Sequence, residues 1–227
     1  MKKRKGRLIV IDGSDGSGKA TQTKLIVKKL KKDGVNVRTM DFPRYEDNFF
    51  GEFIGGCITG DYGDFLTLDP HITSIIYAAD RFESSEKLKK WMEEGCVVIL
   101  DRYVSANQIH QGGKIFDSNK RKEFLKWLDN MEYGVFKLPK PDKVIYLDVP
   151  IKTSIGLLRQ SQQKKQYQKE GKKDLVEQSI DYLENARRSA LWLSRENKNW
   201  IRIQCVKNEE LRSIDDIHEE VVECCKC

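Results

Sequence analysis

The sequence predicts an α/β fold built on a parallel sheet with crossover helices. Three observations carry this. Short apolar runs alternate with helical patterns along the whole chain. The first run, Leu8–Ile11, ends in a glycine-rich loop that carries a lysine. Another, Val97–Leu100, delivers an acid and an arginine at its carboxyl end, where open α/β sheets bind ligands.

Taken in order, Leu8–Ile11 is β-branched and uncharged, as a strand buried on both faces must be, and Asp12 and Gly13 stop it. A helix follows over 19–32. The Asp33–Gly34 turn signal precedes a second strand at Val35–Met40. Further strands are expected at Val97–Leu100, Lys143–Leu147 and Trp200–Gln204. The spacing places helices over 70–94, 118–132, 151–160, 174–196 and 212–225. There is no internal repeat and no sign of a second domain, so residues 1–227 read as one domain. The segment Gln160–Lys173, QSQQKKQYQKEGKK, is polar and basic without apolar periodicity. It suits either a solvated loop or a lid whose cations close over phosphates.

The 227 residues allow an ample core, and a charged fraction of 33% with mean hydropathy −0.61 fits a soluble protein. No apolar run approaches the roughly 20 residues needed to cross a bilayer. The basic start, MKKRK, leads into no signal-type apolar segment, so cytoplasm is the expected compartment. The six cysteines are then reduced thiols, and the terminal CCKC lacks the second cluster that a zinc site needs. A net charge of +6 suits phosphate-rich small substrates, and a nucleic-acid partner is the competing explanation.

Gly13–Lys19 has the spacing G-x-x-x-x-G-K of a phosphate-binding loop. Its glycines let successive N–H groups of Gly13, Ser14, Asp15, Gly16, Ser17 and Gly18 turn toward a phosphate. The helix beginning at Lys19 adds its positive dipole end, and the lysine spans the β- and γ-phosphates of a nucleoside triphosphate. The hydroxyl that usually follows the lysine is missing: Ala20 stands there, with Thr21 next. Asp101, at the end of its strand, is placed to hold magnesium-bound water, with Asp15 as a second candidate. Arg102 is placed to bridge donor and acceptor phosphates. Tyr77 and Arg81 lie four apart on one helix face, which suits a nucleobase, although the same spacing also suits a core. Transfer between two nucleotides needs no general base, because the attacking phosphate oxygen is already anionic. The three histidines, His71, His110 and His218, form no recognisable catalytic array.

In order along the chain, GSDGSGKATQ, FPRY at Phe42–Tyr45, YAADR at Tyr77–Arg81, DRYVSANQIHQGG at Asp101–Gly113, GLLRQ at Gly156–Gln160 and DLVEQSIDYLENARRSALWLS at Asp174–Ser194 resemble the thymidylate kinases. These are P-loop nucleoside-monophosphate kinases. The resemblance implies a five-stranded parallel sheet with helices on both faces, a short lid at about 160–173, and a homodimer. It implies phosphorylation of dTMP to dTDP by ATP with Mg²⁺, for dTTP synthesis. Arg44 and Arg102 would hold the dTMP phosphate, and Phe42 and Gln111 would belong to the same site. Tyr77 would stack the thymine, with Arg81 and Asn107 at its polar edge. Asp15 would approach sugar and phosphate, Tyr45 would close over the site, and Arg159 would flank the adenine. Gly16 stands where one subgroup carries a catalytic arginine, which shifts that task to lid lysines, with Lys169 and Lys172 favoured over Lys164 and Lys165. His110 replaces a tyrosine near the sugar 2′ position. Competing readings are a kinase for another monophosphate, such as dUMP or a purine nucleotide, and a P-loop ATPase or nucleic-acid-binding module.

Overall fold

The computed structural model describes residues 6–65, 67–165 and 180–226, with side chains of 161–165 not described. Lys169, Lys172 and most of the expected lid lie outside the described residues, as do the side chains of Lys164 and Lys165, the basic start and Cys227.

Five strands form one parallel sheet: β1 (Arg7–Gly13), β2 (Val37–Asp41), β3 (Val97–Asp101), β4 (Lys143–Asp148) and β5 (Trp200–Gln204), in the order β2-β3-β1-β4-β5. The register pairs Ile11 with Asp101 and Asp41 with Asp101. The carboxyl ends of the three strands therefore meet beside the loop after β1. Alternate residues feed two cores. Leu8, Val10, Val98, Leu100, Val144 and Tyr146 point to one face, and Ile9, Ile11, Val97, Ile99, Ile145 and Leu147 to the other. The second face is covered by α1 (Lys19–Lys32) and the C-terminal α9 (Ile214–Cys225), whose Ile26, Val27, Ile217 and Val221 complete its core. Cys225 is buried there, and burial pushes its thiol up to about 12, so it packs as an apolar group.

The other face carries α2 (Phe49–Thr59), α3 (Pro70–Glu83), α4 (Ser85–Glu93), α5 (Val104–Gly113), α6 (Ser118–Asp129) and α8 (Ile180–Glu196); α7 (Ile151–Lys165) follows β4. The expected 70–94 helix is two helices, because the chain breaks at Ser84, whose hydroxyl accepts from Asn48 Nδ2 at 3.1 Å. The expected 118–132 helix ends at Asp129 and passes into a π-helical turn, Asn130–Val135. The helix expected from 174 is described from Ile180, and the one expected from 212 starts at Ile214, capped by Ser213. Two helices and a small hairpin, β6 (Val206–Lys207) with β7 (Glu210–Leu211), have no counterpart in the sequence reading. The unforeseen α5, VSANQIHQGG, is polar and glycine-rich, so its local propensity is poor. It forms because α8 packs against it: a Cβ on Gly113 would stand 3.0 Å from the Ala186 backbone, so a larger residue would push the two helices apart by a few tenths of an ångström.

Candidate active site

The phosphate-loop half is built from backbone. Gly16 and Gly18 take positive φ values of 81° and 88°, which curl the loop ahead of α1. A Cβ on Gly16 would meet the Ser154 carbonyl oxygen of α7 at 2.3 Å, so an arginine cannot be added there without displacing α7. Lys19, buried, donates to the Ser14 carbonyl at 2.9 Å and to Asp15 Oδ1 at 3.2 Å. Asp12, read from sequence only as a strand stop, is fully buried. Its carboxylate accepts from Gly13 N at 2.8 Å and Ser105 Oγ at 2.6 Å, tying the loop to α5.

Arg102 leaves β3 in the left-handed region, φ 65°, with its N–H on the Ile11 carbonyl at 3.0 Å. A non-glycine residue held there costs about 1–3 kcal/mol, and the turn aims the guanidinium back at the loop. It bonds Asp15 Oδ1, the same oxygen that holds Lys19. Burial would raise the Asp15 carboxyl, but Arg102 and then Lys19 overcome this and hold it well below the usual carboxylate range. Asp15 therefore stays ionised and clasps both cations at one point.

Two cavities meet at that point. The first is lined by Asp15, Phe42, Tyr45, Tyr77, Arg81, Arg102, Asn107, His110 and Gln111, joined by Pro43, Ile58, Tyr103, Ala106 and Tyr182. The space among these side chains, open solvent at its mouth included, is about 580 Å³. The second is lined by the loop and the start of α1, Asp15 to Gln22, with Asp101, Leu157, Leu158, Leu211, Arg212 and Ile214. Asp15, Phe42, Pro43, Tyr45 and Arg102 belong to both.

Every expected acceptor residue lines the first cavity except Arg44. That side chain pairs with Asp41 at 3.3 Å and closely with Asp47, and it borders a separate groove with Lys24, Lys28 and Asp101. Its loop is fixed instead through Asp80, a buried acid of α3 that accepts from Arg44 N and Asn48 Nδ2. Arg159, exposed on α7, is not among the residues lining the second cavity, where Leu157 and Leu158 stand.

Sequence reasoning missed Glu132 and Tyr182. Glu132, on the π-helical turn and fully buried, pairs with Arg81 at 2.6 and 2.7 Å, and in the sequence it was only one of two acids within the run WLDNMEYGVF. Tyr182 of α8 stacks on His110, ring centroids 5.7 Å apart. Burial, then the positive charge of Arg102, pushes the imidazole down to about 3, so His110 is neutral at physiological pH. Tyr77 packs against Phe65, which sequence also left unmarked, at 5.8 Å.

The residues fit a magnesium ion. Asp101 lies at the second cavity, where its carboxylate accepts no hydrogen bond among the described residues. Burial raises its pKa, with Asp12 and Asp41 adding, against the opposing pull of the Lys19 and Arg102 cations. Ser17 Oγ is buried without a partner among the described residues. Magnesium asks for one or two carboxylates plus water and substrate phosphate, not a cage. Asp15 is occupied by Lys19 and Arg102 and is the poorer candidate.

A family model described as thymidylate kinase matches residues 11–220. A probable thymidylate kinase of Thermococcus gammatolerans is 32% identical over 223 residues, 96% of this chain and 94% of that protein. Thymidylate kinase of Plasmodium falciparum is 32% identical over 148 residues, a match spanning 65% of this chain and 64%, just under two thirds, of that protein. Thymidylate kinase of Danio rerio is 26% identical, covering 97% and 90%. Among solved structures, thymidylate kinase from Candida albicans superposes with TM-score 0.70 at 20% identity, covering 96% of this chain and 90% of that one, and shares the fold.

Proposed function

The chain belongs to the thymidylate kinase family, and on that premise we infer that it transfers the γ-phosphoryl group of ATP to dTMP, yielding dTDP and ADP. The observation that carries the reading is the shared wall of the two cavities, where Asp15 holds Lys19 of the phosphate loop and Arg102, just past β3, on one oxygen.

ATP takes the second cavity, with its β- and γ-phosphates in the N–H cradle of Gly13–Gly18 and on Lys19. dTMP takes the first, with thymine on Tyr77 and its phosphate toward Arg102. The monophosphate oxygen then faces the γ-phosphorus across the wall, and it needs no base to attack. Lys19 and Arg102 neutralise charge on the transferred group, and their fixed positions mean no reorganisation at the moment of transfer. Asp101, with the buried Ser17 hydroxyl that has no partner among the described residues, would hold magnesium, which would supply further charge neutralisation on the phosphate oxygens. With no arginine accommodated at Gly16, the remaining cation is assigned to the lid, to Lys169 or Lys172 before Lys164 or Lys165.

A homodimer is part of the proposal. Ile72, Ile75 and Phe82, spaced three and seven apart on α3, are about half exposed, and Phe49 of the adjacent α2 is 71% exposed. Sedimentation of wild type against Ile75→Glu tests it: the variant should run as a monomer. We assign the protein to the cytoplasm, supported by free thiols at Cys57, Cys96, Cys205, Cys224 and Cys225. Among the described residues no helix is long and apolar enough to cross a membrane.

The deciding measurement is ADP formation with ATP, Mg²⁺ and each monophosphate in turn. dTMP should be turned over fastest, with dUMP behind it. Much faster turnover of AMP or GMP would overturn the assignment, and ADP release without any acceptor would favour an ATPase.

A further inference from the structure

We propose that Glu132, on the π-helical turn, is a positioning residue that makes the base pocket select a ring N–H beside a carbonyl, by fixing Arg81 and the amide orientation of Asn107. The proposal rests on the dTMP reading and deepens it. Glu132 accepts from Arg81 Nε at 2.7 Å and from one terminal nitrogen of that guanidinium at 2.6 Å. Its Oε1 also accepts from Asn107 Nδ2 at 3.0 Å, and the same amide nitrogen donates to the Ser74 carbonyl at 3.1 Å.

Chemistry settles the orientation of that amide. Both groups facing Nδ2 are oxygens with only lone pairs to offer. A flipped Asn107 would set its own carbonyl against a carboxylate and a carbonyl, with all three groups buried. Both amide hydrogens are thus committed, so Oδ1 is the atom left for a ligand in the first cavity, and it can only accept. On the other member, Nε and one terminal nitrogen point at Glu132. The remaining terminal nitrogen sits at a long 3.4 Å from the Tyr103 carbonyl, and it can only donate.

The wall therefore presents one acceptor and one donor, set by a single carboxylate. A pyrimidine with N3–H and a 4-carbonyl complements that pair. Cytosine, with a bare N3 and a 4-amino group, opposes it at both places. A site built to hydrogen-bond one edge discriminates strongly against the edge that lacks it, because its own polar groups are then left unpaired.

The test is steady-state kinetics of Glu132→Gln with dTMP, dUMP and dCMP. A glutamine turns an N–H toward either Arg81 or Asn107. The kcat/KM ratio of dTMP to dCMP should fall about 10²-fold, the size expected for a misplaced positioning contact. The change should lie mainly in KM for the nucleotide; dUMP should track dTMP, and KM for ATP should stay put. An equal loss for all three nucleotides, or an unchanged ratio, would overturn the proposal. Glu132→Asp keeps the charge and is read the same way if the glutamine variant does not fold. A further arm needs no variant: in wild-type protein the Asn107 side-chain amide protons should be protected from solvent exchange before and after dTMP binds, and ready exchange would overturn the proposal. If wild type fails to phosphorylate dTMP at all, the family reading fails; if it succeeds while the ratio survives Glu132→Gln, only this inference does.

Discussion

The phosphate-loop half of the site and the base-pocket half are made by different means. The first comes from one contiguous stretch, Gly13–Lys19, whose N–H groups and positive-φ glycines do the shaping. The second is assembled from side chains of α3, α5, the π-helical turn and α8, separated by up to about a hundred residues and joined through buried polar contacts. A backbone site is written in local geometry and tolerates little substitution at its glycines. A side-chain site depends on elements that must first pack. The two halves should therefore fail differently: the first in kcat, the second in KM, selectivity and stability.

The largest effect is expected at the junction. Lys19→Met should cost about 10³–10⁵ in kcat, with KM for dTMP little changed, because the ammonium acts mainly on developing charge. Parallel loss in KM would break the division of labour between the halves. Steady-state kinetics with both substrates varied settles it.

Arg81→Met should act through stability as well as binding. It strands fully buried Glu132 without its cation, and breaking such a pair costs about 3–5 kcal/mol. Urea denaturation should show that loss alongside weaker dTMP binding. Unchanged stability would mean the pocket's scaffold does not rest on this pair.

On the proposed mechanism the lid lysines act with the loop half. Replacing Lys164, Lys165, Lys169 and Lys172 together by Gln should lower kcat about 10²–10³-fold with little change in KM, as expected of a contact made mainly in the transition state. A quadruple variant with wild-type kcat would reduce the basic segment to a solvated loop.

His110→Tyr should sharpen preference for dTMP over its ribo-analogue by roughly 1–3 kcal/mol, because phenol fills space that imidazole leaves at the sugar. An unchanged ratio would remove His110 from sugar selection.

A further difference is expected in pH. The His110 imidazole titrates near 3 when folded and about 6.5 when unfolded. Between those values the unfolded chain binds the extra proton, so stability falls as pH drops from about 6.5 toward 3 and the contribution is complete above that window. His110→Gln should flatten this slope in denaturation midpoints taken at pH 4 and 7. An identical slope would show that the ring is not kept neutral by its burial.

Legibility tracked the same division. The strand ends and α1 were readable because β-branched runs, a glycine-lysine loop and a 3.6-residue period are local signals. Tyr77, Arg81 and Asn107, proposed to stack and read the base, were found through the ordered resemblance, and they do line the cavity. Arg44 was assigned the monophosphate on the same basis, yet the fold pairs it with Asp41 and Asp47 beside another groove. Glu132 went unseen because its partners are 25 and 51 positions away, and no spacing rule links a π-helical turn to α3 and α5.

By itself the sequence determined the fold class, the phosphate loop, the strand-end Asp101–Arg102 pair and the family. Each is encoded by residues adjacent in the chain or by motifs in fixed order, and backbone stereochemistry converts such patterns directly into structure. Only the tertiary structure decided that α5 is a helix, that Asp15 clasps Lys19 and Arg102 on one oxygen, and that the Asn107 amide nitrogen donates to both Glu132 and the Ser74 carbonyl. Those outcomes depend on what burial places opposite each group. A buried donor or acceptor must find a complement, and which complement is within reach is set by packing between distant segments.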